Sequence, residues 1–210
     1  MWIFLHVRTR VPGCEKCLWG RMDSFYTAFV TIHCTMMKAF TPAIAKLPKR
    51  TVLTVTVVGS PNVTTNVISA LYGTAYTTKF KVYRPKGKKM EIGELSAYWP
   101  DAHRKPKAKW TGVWMLQVSP FVKQRDLVQK DPSVRIQIKT LPAATIAQIL
   151  HIGTYASEGP TIKKLHAFIT EQGYRIAGPH EESYYSKSGP KAKTVIRYAV
   201  ARRARKAKKI

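Results

Sequence analysis

Acidic residues are scarce in this sequence. Its 210 residues hold 11 Asp and Glu against 36 Lys and Arg, a formal charge of +25. Such a surface attracts polyanions and does not steer cationic ligands inward. Cysteine is scarce too: three residues, an odd number, do not make a disulfide framework. No apolar run approaches the ~20 residues a membrane helix needs. Trp2-Ile3-Phe4-Leu5 is too short for a secretory signal, and no small-residue cleavage site follows it. The expected location is therefore the cytoplasm, with no membrane partner. Zinc-finger spacing, an RNP motif and a helix-turn-helix pattern are all lacking, which argues against sequence-specific readout of nucleic acid. There is no glycine-rich nucleotide loop. The lone CxxC, Cys14 to Cys17, has only the adjacent His33 and Cys34 as further ligands, an awkward set for one tetrahedral metal. No metal and no cofactor is implied.

What is present suffices for a core: 45% of the residues are hydrophobic. Residues 1–37 show no sustained period and read as an irregular leader. Met22, Met36 and Met37 are alternative starts, so the leader is open to being a mis-assigned translation start. Residues 201–210 are basic without an apolar face and read as a disordered arm, suited to nonspecific contact with nucleic acid.

Between these ends the chain is regular. Thr51 to Val58 alternates Thr and Val as a strand does, and Gly59 to Asn62 forms a turn. From Thr64 to Tyr83 the period is helical. Val67, Leu71 and Ala75 make one stripe; Ile68, Tyr72, Tyr76 and Phe80 make its neighbour. Met90 to Trp99 and Trp110 to Val118 read as paired strands, and Phe121 to Lys130 as a short helix. The order then recurs. After a short strand at Ile136 to Lys139, Thr145 to Ile152 is a strand. Pro160 to Gln172 is a helix, and His180 to Ser186 and Thr194 to Val200 are strands. The expected fold is α+β: two strand-helix-strand-strand modules, about 51–118 and 144–200, related by a pseudo-twofold with a ligand cleft between their helices.

Several segments carry a family resemblance. They are His151-Ile-Gly-Thr-Tyr155, Glu158-Gly-Pro-Thr-Ile-Lys-Lys-Leu-His-Ala-Phe168, Gly173-Tyr174, Gly178-Pro-His-Glu-Glu-Ser-Tyr184 and Lys193-Thr-Val-Ile-Arg197. In the first half Gly59 to Asn62, Ala70 to Tyr72, Ala75 to Phe80, Lys109-Trp110 and Pro120 to Val122 add to it. Over residues 38–200 the chain resembles the GyrI-like small-molecule-binding domain. The resemblance implies a duplicated fold with a cleft for bulky, planar or amphipathic compounds. Some members are effector domains of drug-responsive regulators, one modulates DNA gyrase, and stand-alone members hydrolyse cyclopropane-bearing DNA-alkylating toxins.

The resemblance also marks a candidate site. Glu182 sits where the family places a carboxylate, and Glu158 where it often has an acid before the second helix. Alternation puts His180, Glu182 and Tyr184 on one face of their strand and Glu181 and Ser183 on the other. Glu181 is expected to be solvated or paired with a lysine. His151 and His166 are expected to be core or surface histidines. The expected chemistry is hydrolysis. Glu182 orients or deprotonates water, Glu158 is a second acid or base, and Tyr155 or Tyr184 donates to the substrate carbonyl. Desolvation is expected to favour the protonated form of such a carboxyl. Tyr72, Tyr76, Trp99, Trp110 and Trp114 are candidate ligand walls, with His180 beside them. In the first module the matching acid is either Glu94, with a one-residue slip, or is replaced by Ser96; a slip reverses the face. Three functions remain open: binding with hydrolysis of a polycyclic genotoxin, non-catalytic drug sequestration or effector sensing, and a basic accessory role on DNA or a DNA enzyme.

Overall fold

The computed structural model describes residues 37–59, 65–102, 104–106, 109–186 and 189–203. The CxxC, the His33-Cys34 pair, nearly all of the leader and the tail beyond 203 lie outside the described residues. Eight strands, β1 (Ala43–Leu47), β2 (Arg50–Val58), β3 (Ile92–Trp99), β4 (Thr111–Val118), β5 (Gln137–Leu141), β6 (Ala144–Ile152), β7 (Tyr174–Tyr184) and β8 (Lys193–Arg202), form one antiparallel sheet. Its order is β1-β6-β8-β7-β3-β4-β2-β5. Among the described residues two α-helices, α1 (Thr65–Thr78) and α2 (Gly159–Glu171), complete the α+β fold. Counted outward from the β3–β7 junction, each half presents its strands in the same order: β3-β4-β2 on one side, β7-β8-β6 on the other.

Cross-strand register fixes which face the helices cover. Ala97, Glu182 and Ile196 form one row across β3, β7 and β8. Ala97 packs in the cluster of Leu71 and Ala75 from α1, with Leu53, Trp114 and Leu116 beneath. Ile196 packs in the cluster of Leu165 and Ile169 from α2. Both helices therefore lie on one face, and Glu182 stands in the row between their two clusters. The expected stripe of α1 carries this packing. Val67, Leu71 and Ala75 are buried on α1, and Thr161, Leu165 and Ile169 on α2. Gly173, at φ +73°, closes α2 in the left-handed conformation that glycine tolerates.

The structure adds an unexpected edge strand, β1, and departs from the expected elements elsewhere too. The helix of residues 64–83 is regular only to Thr78; residues 79–83 form a π-helical turn. Its wider turn brings residues five apart onto one face, and Tyr83 is buried like Thr78. Phe121 to Lys130 holds a single 3-10 turn, Gln124–Asp126, not a helix. Its polar groups bond outward instead: Tyr83 Oη donates to Asp126 (2.6 Å), Val128 N to Thr78 Oγ1 (3.0 Å) and Ile138 N to Gln124 Oε1 (2.7 Å). Strand β7 starts at Tyr174, six residues before the expected His180, because a bulge over Ile176–His180 lets it run past Gly178-Pro179. Strand β8 runs through Arg202, and Arg203 Nε donates to the Tyr174 carbonyl (3.0 Å), so the chain stays tied down past the expected strand end. No helix among the described residues is long and apolar enough to cross a membrane.

Candidate functional site around Glu182

The site is built by two bulges. In β7 the register advances four residues from Ile176 to His180 while β8 advances two. Gly178 sits in that bulge, where a Cβ would come within 2.9 Å of the Ala199 Cβ, so only glycine fits unshifted. Pro179 beside it needs no ladder hydrogen bond there. The two added residues leave the alternation in phase, so His180, Glu182 and Tyr184 keep to the helix face that Ile196 shares. In β3 the register gains one residue between Ile92 and Leu95. Gly93 faces Gln117, whose Cβ would lie 3.1 Å from an added glycine Cβ, and Glu94 follows it to the face away from the helices. Ser96, opposite Met115 and Ser183, shares that far face. Neither Glu94 nor Ser96 is therefore on the same face as Glu182.

On the helix face Glu182 holds two donors. His180 Nε2 lies 2.8 Å from Oε1, and Tyr184 Oη donates to Oε2 at 2.8 Å. His180 Nδ1 lies 2.7 Å from Tyr198 Oη. Burial, and next the nearby Glu182 charge, raise the Tyr198 hydroxyl above its ordinary range, so it stays protonated and can donate to Nδ1. His180 Nε2 faces the carboxylate, in the position of a donor to Oε1. The same two causes raise Tyr184 well above its usual value. The set is a fixed chain, Tyr198–His180–Glu182–Tyr184.

Aromatic rings wall it. Trp114 stacks on Tyr184 (5.4 Å, 23°), Trp99 meets Trp114 edge-on (5.9 Å), and Tyr155 meets Tyr184 edge-on (6.0 Å). Tyr155 comes from the 3-10 turn before α2 and is 43% exposed, so it borders solvent. Trp114 Nε1 is buried with no hydrogen-bond partner among the described residues. Trp110 tilts against Trp99, but its indole donates to the Lys105 carbonyl (2.7 Å), which holds it at the outer end of the row. Glu158, buried at the start of α2, lies close enough for its charge to help raise both Tyr155 and Tyr198, after burial and Glu182. Tyr72 and Tyr76 have a different company. They stack in series with Phe80 along the flank of α1 (6.3 and 6.2 Å).

The far face carries a second polar cluster. Glu181 is not solvated, and among the described residues arginine rather than lysine pairs with it. It is 4% exposed and takes a bidentate pair from Arg50 (2.9 and 3.3 Å). Arg197 Nη1 bonds Glu94 (2.6 Å) and Ser183 Oγ (2.7 Å), and Arg50 also reaches Glu94 (3.1 Å). Burial alone would push the Glu94 carboxyl up; Arg197 foremost, then Arg50 and the Tyr185 hydroxyl, outweigh it and hold it down at about 2. His151 is a buried core histidine whose Nδ1 lies 2.9 Å from Thr161 Oγ1, tying β6 to α2. Sequence reasoning missed Tyr198 and the Arg50–Glu94–Arg197 contacts. Tyr198 was within reach of it: two residues from Ile196, it shares a strand face with the expected core.

A small cavity of about 590 Å³ near Gln124, Arg135 and Gln137 lies at the β5 edge, four strands from β7. It belongs to the sheet edge, not to the carboxylate. No cluster of three metal-ligating side chains occurs among the described residues.

The model of the GyrI-like small molecule binding domain matches residues 40–201. The chain belongs to the GyrI-like small-molecule binding domain family. Among solved structures the chain is similar to an uncharacterized conserved protein from Listeria innocua, at 22% identity, over 78% of this chain and 93% of that one, with a TM-score of 0.68. It is similar to a hydrolase from Listeria innocua at 20% identity, over 81% and 97%, with a TM-score of 0.68. It is also similar to the C-terminal domain of EcmrR at 15% identity, over 77% and 98%, with a TM-score of 0.57. At these identities the likeness shows the GyrI-like fold alone. No curated protein matches the chain.

Proposed function

We propose that this GyrI-like chain binds a bulky aromatic or amphipathic small molecule against the Trp114–Tyr184 stack and hydrolyses a cyclopropane conjugated to a carbonyl. The observation that carries the reading is the Glu182 carboxylate, set in the row between the helix clusters, held by His180 and Tyr184 and walled by aromatic rings. Each carboxylate oxygen keeps a free lone-pair direction after accepting one bond, so a water can still donate to it. In the reaction the water oxygen bonds to the least-substituted ring carbon, and its proton passes to Glu182. The ring C–C bond breaks, and its electron pair moves to the carbonyl oxygen as an enolate. The enolate then takes up a proton at carbon, returned from Glu182, which restores the carboxylate. The hydroxyl of Tyr184 is committed to Glu182, so the donor to the enolate oxygen is Tyr155. Glu158 is the second acid. The hydrolase among the structural neighbours agrees with this reading.

A second reading is sequestration or effector sensing without turnover. It is favoured by the two donors already on Glu182, which suit a fixed acceptor for a ligand as well as a base. One experiment separates the two. The protein is incubated with a cyclopropane-bearing alkylator and ring opening is followed by chromatography. Turnover that falls about 100-fold or more in Glu182→Gln, with ligand affinity kept within a few-fold, supports the base role. Binding without turnover in the native protein leaves sequestration. Turnover unchanged in Glu182→Gln overturns the mechanism.

A further inference from the structure

Tyr72, Tyr76 and Phe80 occupy i, i+4 and i+8 on α1 and the turn that extends it. Their rings stack nearly parallel: 23° between the first pair and 12° between the second. Tyr76 and Phe80 are each 47% exposed, although α1 has a separate buried stripe that already satisfies its core. The Arg84 guanidinium lies over the Phe80 ring at 5.6 Å, and Lys88 Nζ over the Phe121 ring at 5.8 Å. From Lys79 to Lys88 there are five cations and no acid. Lys81, Arg84, Lys86 and Lys88 are exposed. Half-exposed, nearly parallel rings are thus set beside a run of five cations with no acid among them.

We propose that this flank is a binding surface for single-stranded nucleic acid, bases stacking on Tyr76 and Phe80 while Lys81, Arg84 and Lys86 meet the phosphates. The combination of stacking platforms with cations is what an unpaired strand needs. A duplex keeps its bases stacked inside and would meet the charge alone. An anionic lipid surface fits less well, because insertion needs a continuous exposed apolar face, and Val67, Leu71 and Ala75 are buried in the core.

The test is fluorescence anisotropy on the full chain with a labelled 15-nucleotide single strand, titrated at several salt concentrations. The Tyr76→Ala/Phe80→Ala variant is compared with a second variant in which the tail cations Arg205, Lys206, Lys208 and Lys209 become Ser. Thermal melts check that both fold, and the removed rings are half exposed, so folding is expected to survive. Removing the rings is expected to weaken single-strand binding about tenfold or more and to leave the salt slope unchanged. Neutralising the tail is expected to lower the salt slope but keep the ring dependence. The surface is overturned if removing the rings changes nothing while tail neutralisation abolishes binding. Equal, ring-independent binding of duplex overturns it too, as does failure to bind the strand at low salt while anionic vesicles are bound.

Discussion

At the residue scale, two neighbouring glutamates show what sequence can and cannot convey. Alternation along β7 puts Glu181 and Glu182 on opposite faces, and that much is legible in the residues themselves. Their partners are not. Glu182 finds His180 and Tyr184 two residues away on the same strand, so local spacing announces the cluster. Glu181 finds Arg50, 131 positions earlier, and no local pattern signals a contact that only the closed sheet creates. A surplus of lysine in the composition points instead to a solvated carboxylate. Glu94 is the third case, and it has a measurable consequence. Its carboxyl is held at about 2 in the folded chain against an ordinary 4.5, so the folded state prefers the ionised form. That preference stabilises the protein fully above pH 4.5. Below it the unfolded chain takes up the proton first, and the contribution drains away as pH falls towards 2. The amount is about 3 kcal/mol. Urea midpoints measured between pH 6 and pH 3 should fall more steeply in the native chain than in Glu94→Gln. Equal slopes would mean that the carboxyl is not held by the arginines.

At the scale of elements, the strands and helices whose side chains decide their own packing were legible. The β-branched run of β2, the apolar run of β6 and the i, i+4 stripes of both helices lie close to where periodicity puts them. What periodicity misses is irregularity. The π-helical turn at residues 79–83 continues a helical pattern smoothly in sequence. The 121–130 segment has helix-forming residues, but its polar groups bond Thr78, Tyr83 and β5. The bulges matter most: the one-residue bulge in β3 reverses the face that Glu94 and Ser96 take, and the two-residue bulge in β7 accommodates Gly178-Pro179 without changing the phase. Gly178 marks one of them through space rather than backbone strain. Gly178→Ala should cost about 1–3 kcal/mol by overpacking against Ala199. The compensating Ala199→Gly change, which removes the opposing Cβ, should restore much of that loss. Denaturant midpoints of the two single variants and the double variant test it. If the double variant is no better than Gly178→Ala alone, the close approach does not account for the glycine.

For the molecule as a whole, the far face holds the two halves together. Arg50 on β2 belongs to one half and reaches Glu181 on β7 of the other; Arg197 on β8 reaches back to Glu94 on β3. The pairs cross the β3–β7 junction in opposite directions. In the sheet order β2 is three strands from β7, a separation of about 14 Å in a flat sheet. A contact of 2.9 Å between side chains that start so far apart requires the sheet to curl towards this face. The opposite, helix-bearing face carries Glu182 and the Trp114–Tyr184 stack. Curling is thus the physical link between the far-face charges and the candidate site. Removing one member of a buried pair leaves its partner charged and unpaired, a loss of about 3–5 kcal/mol, whereas replacing both with apolar side chains can be nearly neutral. Arg50→Met and Glu181→Leu should each destabilise strongly. The double variant should lose at least 2 kcal/mol less than the sum of the two, as expected for directly coupled groups, with roughly that size of interaction. Denaturant titration of the four proteins gives the coupling. Near-UV circular dichroism of the double variant reports on the far side of the sheet, where a change in the tryptophan bands is expected if the clasp sets the curvature. Strictly additive losses would show that Arg50 and Glu181 stabilise the fold independently, and the crossed pairs would then not clasp the halves.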